Sequence, residues 1–511
     1  MFRNAIRRAL LVLTLAVPNL AHGQITATLT FETNGVAGVT QDGVDVFKGV
    51  PYAAPPVGAL RWRAPQPATP WPGIRVADHY GDICVQPLGP GSTGGTETPE
   101  AMSEDCLTLN IFKPNDAVGP LPVVVWIHGG GFTRGAASVP TYDGAAFARG
   151  GVVFVSINYR IGQLGVFAHP ALTAENADGG RLGNYGLMDQ IAALQWVSRN
   201  IAVFGGDPNN VTIFGESAGG LSVNALMVSP QARGLFHRAV SQSGYGRGSF
   251  HRMTVDSLDG RRAAETEGQE LAAAVGVTGN DLAALRAVPA ATIVAQPRPP
   301  GHLYFILDGT VLTDDMWAVF RANKEAPVPL MIGSNSHEFS GISWDSPRPD
   351  LHAFVSDDAY GALAQPYGGK DMLDHHLISD FLFTQQARAL ARMHSNNGHP
   401  TSLYLFSVVG DAAAAEGKGA RHGAEIAYVF DTLNAGGPPD VAAADQAVAE
   451  TMNATWRAFA ATGDPNGTGL PPWPDYADGQ IMEFTLRGQS VHPDVRNDRL
   501  DALSAVLDGK S

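Results

Sequence analysis

With 44% hydrophobic residues, a chain of 511 residues can bury a large core, as one big domain or two smaller ones. A formal net charge of −15 repels polyanions over about a Debye length. It argues against nucleic acid and anionic membrane surfaces as partners and leaves a neutral or cationic small molecule open.

The chain begins MFRNAIRRALLVLTLAVPNLAHGQ, in which Arg3, Arg7 and Arg8 precede an apolar stretch from Ala9 to Val17, followed by Ala21 and Gly23. That order reads as a secretory signal over residues 1–23, and the apolar run is shorter than the ~20 residues a membrane helix needs. No later stretch is long and apolar enough to span a bilayer. The expectation is an exported protein, periplasmic or secreted, with residues 24–511 as one domain, because no shift in composition marks a boundary.

Cys84 and Cys106 are the two cysteines. Export to an oxidising compartment predicts a disulfide between them. It would close VQPLGPGSTGGTETPEAMSED, too rich in Gly, Pro, Ser and Thr to hold a shape by core burial, and would contribute roughly 3 kcal/mol by loop entropy. The pair lacks the close ligand spacing that zinc favours, so these cysteines imply no metal site.

PVVVWI (122–127) and GVVFVSI (151–157) are short apolar runs rich in β-branched residues, bounded by Gly and Pro. They predict strands buried on both faces, as in a parallel sheet. MDQIAALQWVSRNI follows with Ile191, Leu194, Val197 and Ile201 on one helical face. NVTIF predicts another strand and SAGGLSVNALMVS a helix after it, with further strands at PVPLMIG near 330 and TSLYLF near 404. Strands alternating with helices make an α/β sheet, whose chemistry is expected at the carboxyl ends of the strands.

VTIFGESAGG (211–220) sets a serine between glycines where a strand gives way to a helix. Gly215 and Gly219 permit a sharp turn that lifts the Ser217 hydroxyl clear of the backbone, the nucleophile elbow of α/β hydrolases. The alternative is a serine that only caps the helix. An attacking serine needs donors for the negative oxygen it creates, and HGGGF after PVVVWI supplies Gly129, Gly130 and Gly131. A phosphate loop is the rival reading of those glycines, but no Lys-Ser/Thr follows. The order nucleophile, acid, histidine puts the base well downstream. His422, in ARHGAEIAYVF after TSLYLF, has that position, and Glu338 in PLMIGSNSHEFSG stands between; Asp308 and Asp345 are other acids that spacing leaves open.

FKGVPYAAPPVGALRW (47–62), SEDCLTLNIF (103–112), NYRIGQLGVF, GNYGLMDQIAALQWVSRNIAVFGGDPNNVTIFGESAGG and WRAFAATGDPNG together resemble the type-B carboxylesterase family over nearly all of the chain after the leader. The resemblance implies an α/β-hydrolase fold with loop and helix insertions forming an active-site gorge. It implies Ser217 as nucleophile, His422 as general base and later acid, and Glu338 as the group orienting the imidazole. The oxyanion hole would be the N–H groups of Gly130, Gly131 and Ala218, and Cys84 and Cys106 would match the family's N-terminal disulfide. Glu216 and Ser243 resemble residues that support the triad from behind, with packing as the other reading of both. Around the acid the family usually shows Asp-Glu-Gly where this chain has His337, Glu338 and Phe339, and His337 reads as an ordinary loop residue. No tryptophan lies between the cysteines to hold a quaternary ammonium, which argues against a choline ester specialist.

The expected function is hydrolysis of small-molecule carboxylic esters through an acyl enzyme, with no cofactor. A lipase for long acyl chains, a detoxifying esterase for a bulky ester, an amidase and a catalytically dead adhesion relative are the alternatives. NAT at 453 and NGT at 466 fit the glycosylation pattern.

Overall fold

The computed structural model describes residues 24–25, 28–32, 34–87, 101–247, 250–256, 261–297, 305–339, 355–410, 418–435, 441–494 and 496–509. The leader expected at 1–23, Asp345 and most of the loop between the cysteines lie outside the described residues.

Among the described residues the main sheet has twelve strands. In chain order they are β1 (Gln24–Ile25), β2 (Val39–Gln41), β3 (Val44–Pro51), β4 (Thr108–Pro114), β5 (Leu121–Ile127), β6 (Val153–Ile157), β7 (Gly206–Glu216), β8 (Arg238–Gln242), β9 (Leu330–Asn335), β10 (Thr401–Phe406), β11 (Gln480–Thr485) and β12 (Gly488–Pro493). Their spatial order is β1-β2-β3-β4-β6-β5-β7-β8-β9-β10-β11-β12. Every neighbouring pair from β6 to β11 is parallel. The strands outside that block pair antiparallel. The strands expected at 122–127, 151–157, 210–214, 327–333 and 401–406 correspond to β5, β6, β7, β9 and β10.

Burial on both faces follows from the pleat. Along β5, Val123, Val125 and Ile127 enter one core and Val124 and Trp126 the other. Along β10, Leu403 and Leu405 enter the first, Tyr404 and Phe406 the second. A run of consecutive apolar residues is what a strand covered on both sides requires. Helix α1 (Tyr185–Asn200) lays Ile191, Leu194 and Val197 into the first core, joined by Ile201 just beyond its end. On the other face Phe430 packs against Trp126 and Phe214 with ring centroids 4.9 and 5.7 Å apart. Those contacts pin the chain just after His422 to β5 and β7.

The order β6-β5-β7 places β5 between two strands that follow it in sequence, so the winding of the sheet reverses there. A crevice at the carboxyl ends of strands is expected at such a switch point, and His128–Gly131 and Ser217 stand at the ends of β5 and β7.

Cys84 and Cys106 form a disulfide. No described helix is long and apolar enough to cross a membrane. The NAT pattern is structurally occupied: Asn453 is buried, donates to the Val429 carbonyl at 2.9 Å and accepts from Arg457 Nε at 2.9 Å.

Candidate active site

Ser217 sits between β7 and helix α2 (Ala218–Val228) with φ 58° and ψ −118°. A left-handed φ is costly for a residue with a Cβ and persists only where packing over-determines it. Here the surroundings do so. A Cβ on Gly219 would lie 2.0 Å from the Ile127 carbonyl oxygen, and one on Gly215 would lie 2.6 Å from the Gly219 backbone. Strand and helix therefore approach at backbone distance, and two glycines are what allows it. Ser217 N–H donates to the Gln242 carbonyl at 2.9 Å, tying the turn to β8. The serine stands at the helix start, yet its side chain makes no capping bond, and its hydroxyl has no hydrogen-bond partner among the described residues.

The glycine-rich turn after β5 faces the same corner. A Cβ on Gly129 would lie 3.2 Å from Ser217 Cβ and 2.7 Å from the Glu216 carbonyl oxygen. Gly130 and Gly131 have φ of 103° and 61°, and the Gly130 carbonyl accepts from Thr133 and Arg134 N–H at 3.1 Å each, which closes the turn. The N–H groups of Gly130, Gly131 and Ala218 have no hydrogen-bond partner among the described residues. His128 is buried and stacked on Tyr159 with ring centroids 4.4 Å apart. Burial pushes its pKa down to about 4, so it is a neutral packing residue.

His422 and Glu338 come together. The Glu338 carboxylate is buried; its Oε2 lies 2.7 Å from His422 Nδ1, and its Oε1 accepts from Ser243 Oγ at 2.8 Å and Asn335 N–H at 2.7 Å. His422 N–H also donates to the Glu338 carbonyl at 2.9 Å, so backbone and side chain bind the same pair. A Glu338 oxygen on Nδ1 leaves Nε2 as the nitrogen free to exchange a proton. Nε2 lies 3.2 Å from Glu216 Oε1, out of line for a hydrogen bond, and a third of the imidazole side chain remains open. Phe383 covers one face of the ring, with centroids 4.6 Å apart.

Spacing left Asp308 open as the acid. Its Oδ1 accepts three backbone N–H groups, from Thr310, Val311 and Leu312, at 3.1, 2.9 and 2.9 Å, which makes it the clamp of a turn. Sequence reading missed Glu425, Asn335 and Gln242. Buried Glu425 accepts from Asn335 Nδ2 at 2.6 Å and Gln242 Nε2 at 3.3 Å. Three carboxylates thus surround one imidazole. Burial lowers the pKa of His422, but Glu216, the hydrogen bond to Glu338 and the Glu338 charge outweigh it and hold it up at about 10. Burial pushes Glu216 up to about 8, with His422 pulling it down. Burial and then Glu338 raise Glu425.

The sequence matches the carboxylesterase family over residues 27–355 and 370–503. The chain belongs to that family. It is 35% identical over 488 residues to fumonisin B1 esterase of Sphingopyxis macrogoltabida, covering 89% of this chain and 85% of that one. It is 34% identical over 474 residues to para-nitrobenzyl esterase of Bacillus subtilis (strain 168), covering 88% and 92%. A solved para-nitrobenzyl esterase superposes with a TM-score of 0.80 at 31% identity, over 93% of this chain and 99% of that one. This carboxylesterase has the α/β-hydrolase fold and is a carboxylic ester hydrolase. The resemblance read from its motifs holds.

Proposed function

We propose that this esterase works through an acyl enzyme. Ser217 Oγ attacks the ester carbonyl and His422 Nε2 takes its proton. The N–H groups of Gly130, Gly131 and Ala218 hold the oxyanion, and His422 returns the proton to the leaving alcohol. Water repeats the sequence on the acyl serine. Glu338 keeps the imidazole in one tautomer and supports its charge. Nε2 turns from Glu216 to Ser217 when substrate arrives. Residues 1–23 export the chain, and residues 24–511 work as one domain without a cofactor.

The observation that supports this reading most is the 2.7 Å contact of Glu338 Oε2 with His422 Nδ1, made beside a glycine turn packed on Ser217. The test is Ser217→Ala, with folding checked by thermal unfolding. Hydrolysis of para-nitrophenyl acetate should fall roughly 10⁴- to 10⁶-fold, and undiminished turnover rejects the mechanism.

Relatives named for fumonisin B1 and for para-nitrobenzyl esters match this chain at nearly equal identity, 35% and 34%, so esters of both kinds are candidate substrates within this mechanism. A library comparing bulky esters with a para-nitrophenyl chain-length series separates the readings. A rate maximum at acetate or butyrate, with bulky esters slow, would leave a small-ester hydrolase, and a maximum at long acyl chains a lipase.

A further inference from the structure

Beside the Glu338 loop, three histidines from two segments meet. His337 follows β9, and His375 and His376 are adjacent on helix α3 (Lys370–Ser379). Ring centroids are 3.9 Å apart for His337 and His375, 5.2 Å for His337 and His376, and 4.7 Å for His375 and His376. One nitrogen from each ring lies within 4.8 Å of the other two. His337 is 4% exposed, and its Nδ1, like that of His376, is buried with no hydrogen-bond partner among the described residues. Buried polar atoms are nearly always satisfied, so two orphaned nitrogens within one cluster of imidazoles call for a ligand there.

From this convergence we infer that His337, His375 and His376 form a binding site for a divalent zinc ion, with the fourth position open to water or a small anion. Imidazole nitrogens are the ligands zinc favours, and three of them with one open position is an established coordination pattern. Tetrahedral zinc holds its nitrogens about 3.3 Å apart. The rings therefore close in slightly on binding, which the half-buried His375 and His376 permit. Neighbours on a helix point about 100° apart, so these two rings grip the ion from different sides while His337 faces them from the loop.

Neutral imidazole is the form that ligates metal. Arg499 and Arg496 are nearby cations opposing an ion; Arg499 is paired with Asp380, Nε to Oδ2 at 2.9 Å, and Arg496 with Asp494, Nε to Oδ1 at 2.8 Å. The other triplet, Glu325, His394 and His399, differs: both nitrogens of His394 are hydrogen-bonded, to Glu325 Oε1 at 3.0 Å and the Val328 carbonyl at 2.9 Å, so no ligand is called for.

A metal here would fasten α3 to the residue before Glu338. The same loop already touches the end of α3, where Phe339 N–H donates to Ser379 Oγ at 3.1 Å. The ion would brace the acid of the proposed triad from behind, outside the reacting atoms.

The test uses the chain without a histidine tag, stripped with chelator and titrated with Zn²⁺, and separately with Co²⁺ as a visible probe. Expected are one equivalent bound at micromolar Kd or tighter, the intense visible bands of four-coordinate cobalt, and a Tm that rises with Zn²⁺. His375→Gln and His376→Gln, made separately, should each weaken the affinity at least tenfold, while the metal-free variants unfold at the wild-type temperature. Absence of a saturable one-equivalent cobalt spectrum in the wild type overturns the site whether or not the variants fold, as does unchanged affinity in folded variants.

Discussion

Nε2 of His422 lies 3.2 Å from Oε1 of Glu216, the residue directly before Ser217. The nitrogen that takes the serine proton in the proposed mechanism therefore rests against a buried carboxyl group while Glu338 holds the opposite nitrogen. Strongly interacting groups of this kind titrate as a unit, and the direction for both is upward.

A raised imidazole pKa has a definite consequence for the pH profile. If His422 is the base, as proposed, it must be neutral to act, so the acid limb of kcat/KM should lie above the ordinary histidine value of about 6.5. Glu216→Gln removes one supporting charge and should move that limb to lower pH. A limb that stays in place would show that Glu216 does not tune the base.

Stability carries the same signature. Folded Glu216 keeps a proton up to about 8, whereas an unfolded glutamate loses it near about 4.3. Between those values the native state binds the extra proton, so stability falls as pH rises. His422 adds to the fall: its contribution is complete below about 6.5 and is lost as pH climbs towards about 10. Urea unfolding at pH 5 and pH 8 should show a smaller drop for Glu216→Gln than for the wild type.

On the proposed assignment, Glu338→Gln frees the imidazole to adopt the wrong tautomer and should lower kcat roughly 10³- to 10⁴-fold. Asp308→Asn is the informative partner experiment. Its carboxylate clamps three backbone N–H groups of a turn, so the change should lower Tm and leave the chemical step alone. Reversal of the two results, read by kcat on para-nitrophenyl acetate, would reassign the acid.

Gly219→Ala tests the elbow. The added methyl would meet the Ile127 carbonyl oxygen at 2.0 Å, and backbone cannot yield there without opening the strand–helix contact. Destabilisation of about 3 kcal/mol or more is expected from denaturant titration, with activity lost in parallel.

Replacing Cys84 and Cys106 by serine releases a loop with a sequence separation of 22 residues. The loop-entropy model gives a cost of roughly 3 kcal/mol, to be read as a lowered urea midpoint at unchanged slope.

Much of this protein was legible before any coordinates. Runs such as PVVVWI and TSLYLF announce strands because burial on both faces demands unbroken apolar sequence, and the glycines at 129–131, 215 and 219 announce tight turns because only they permit such backbone approach. Those are local constraints, written in neighbouring residues. Which acid meets His422, that Glu425, Gln242 and Asn335 share its carboxylate network, and that His337 stands against His375 and His376 are matters of separation in space. Coulomb energy, hydrogen bonding and ligation depend on ångströms between segments far apart in the chain, and only the packing of helices on the sheet sets those distances.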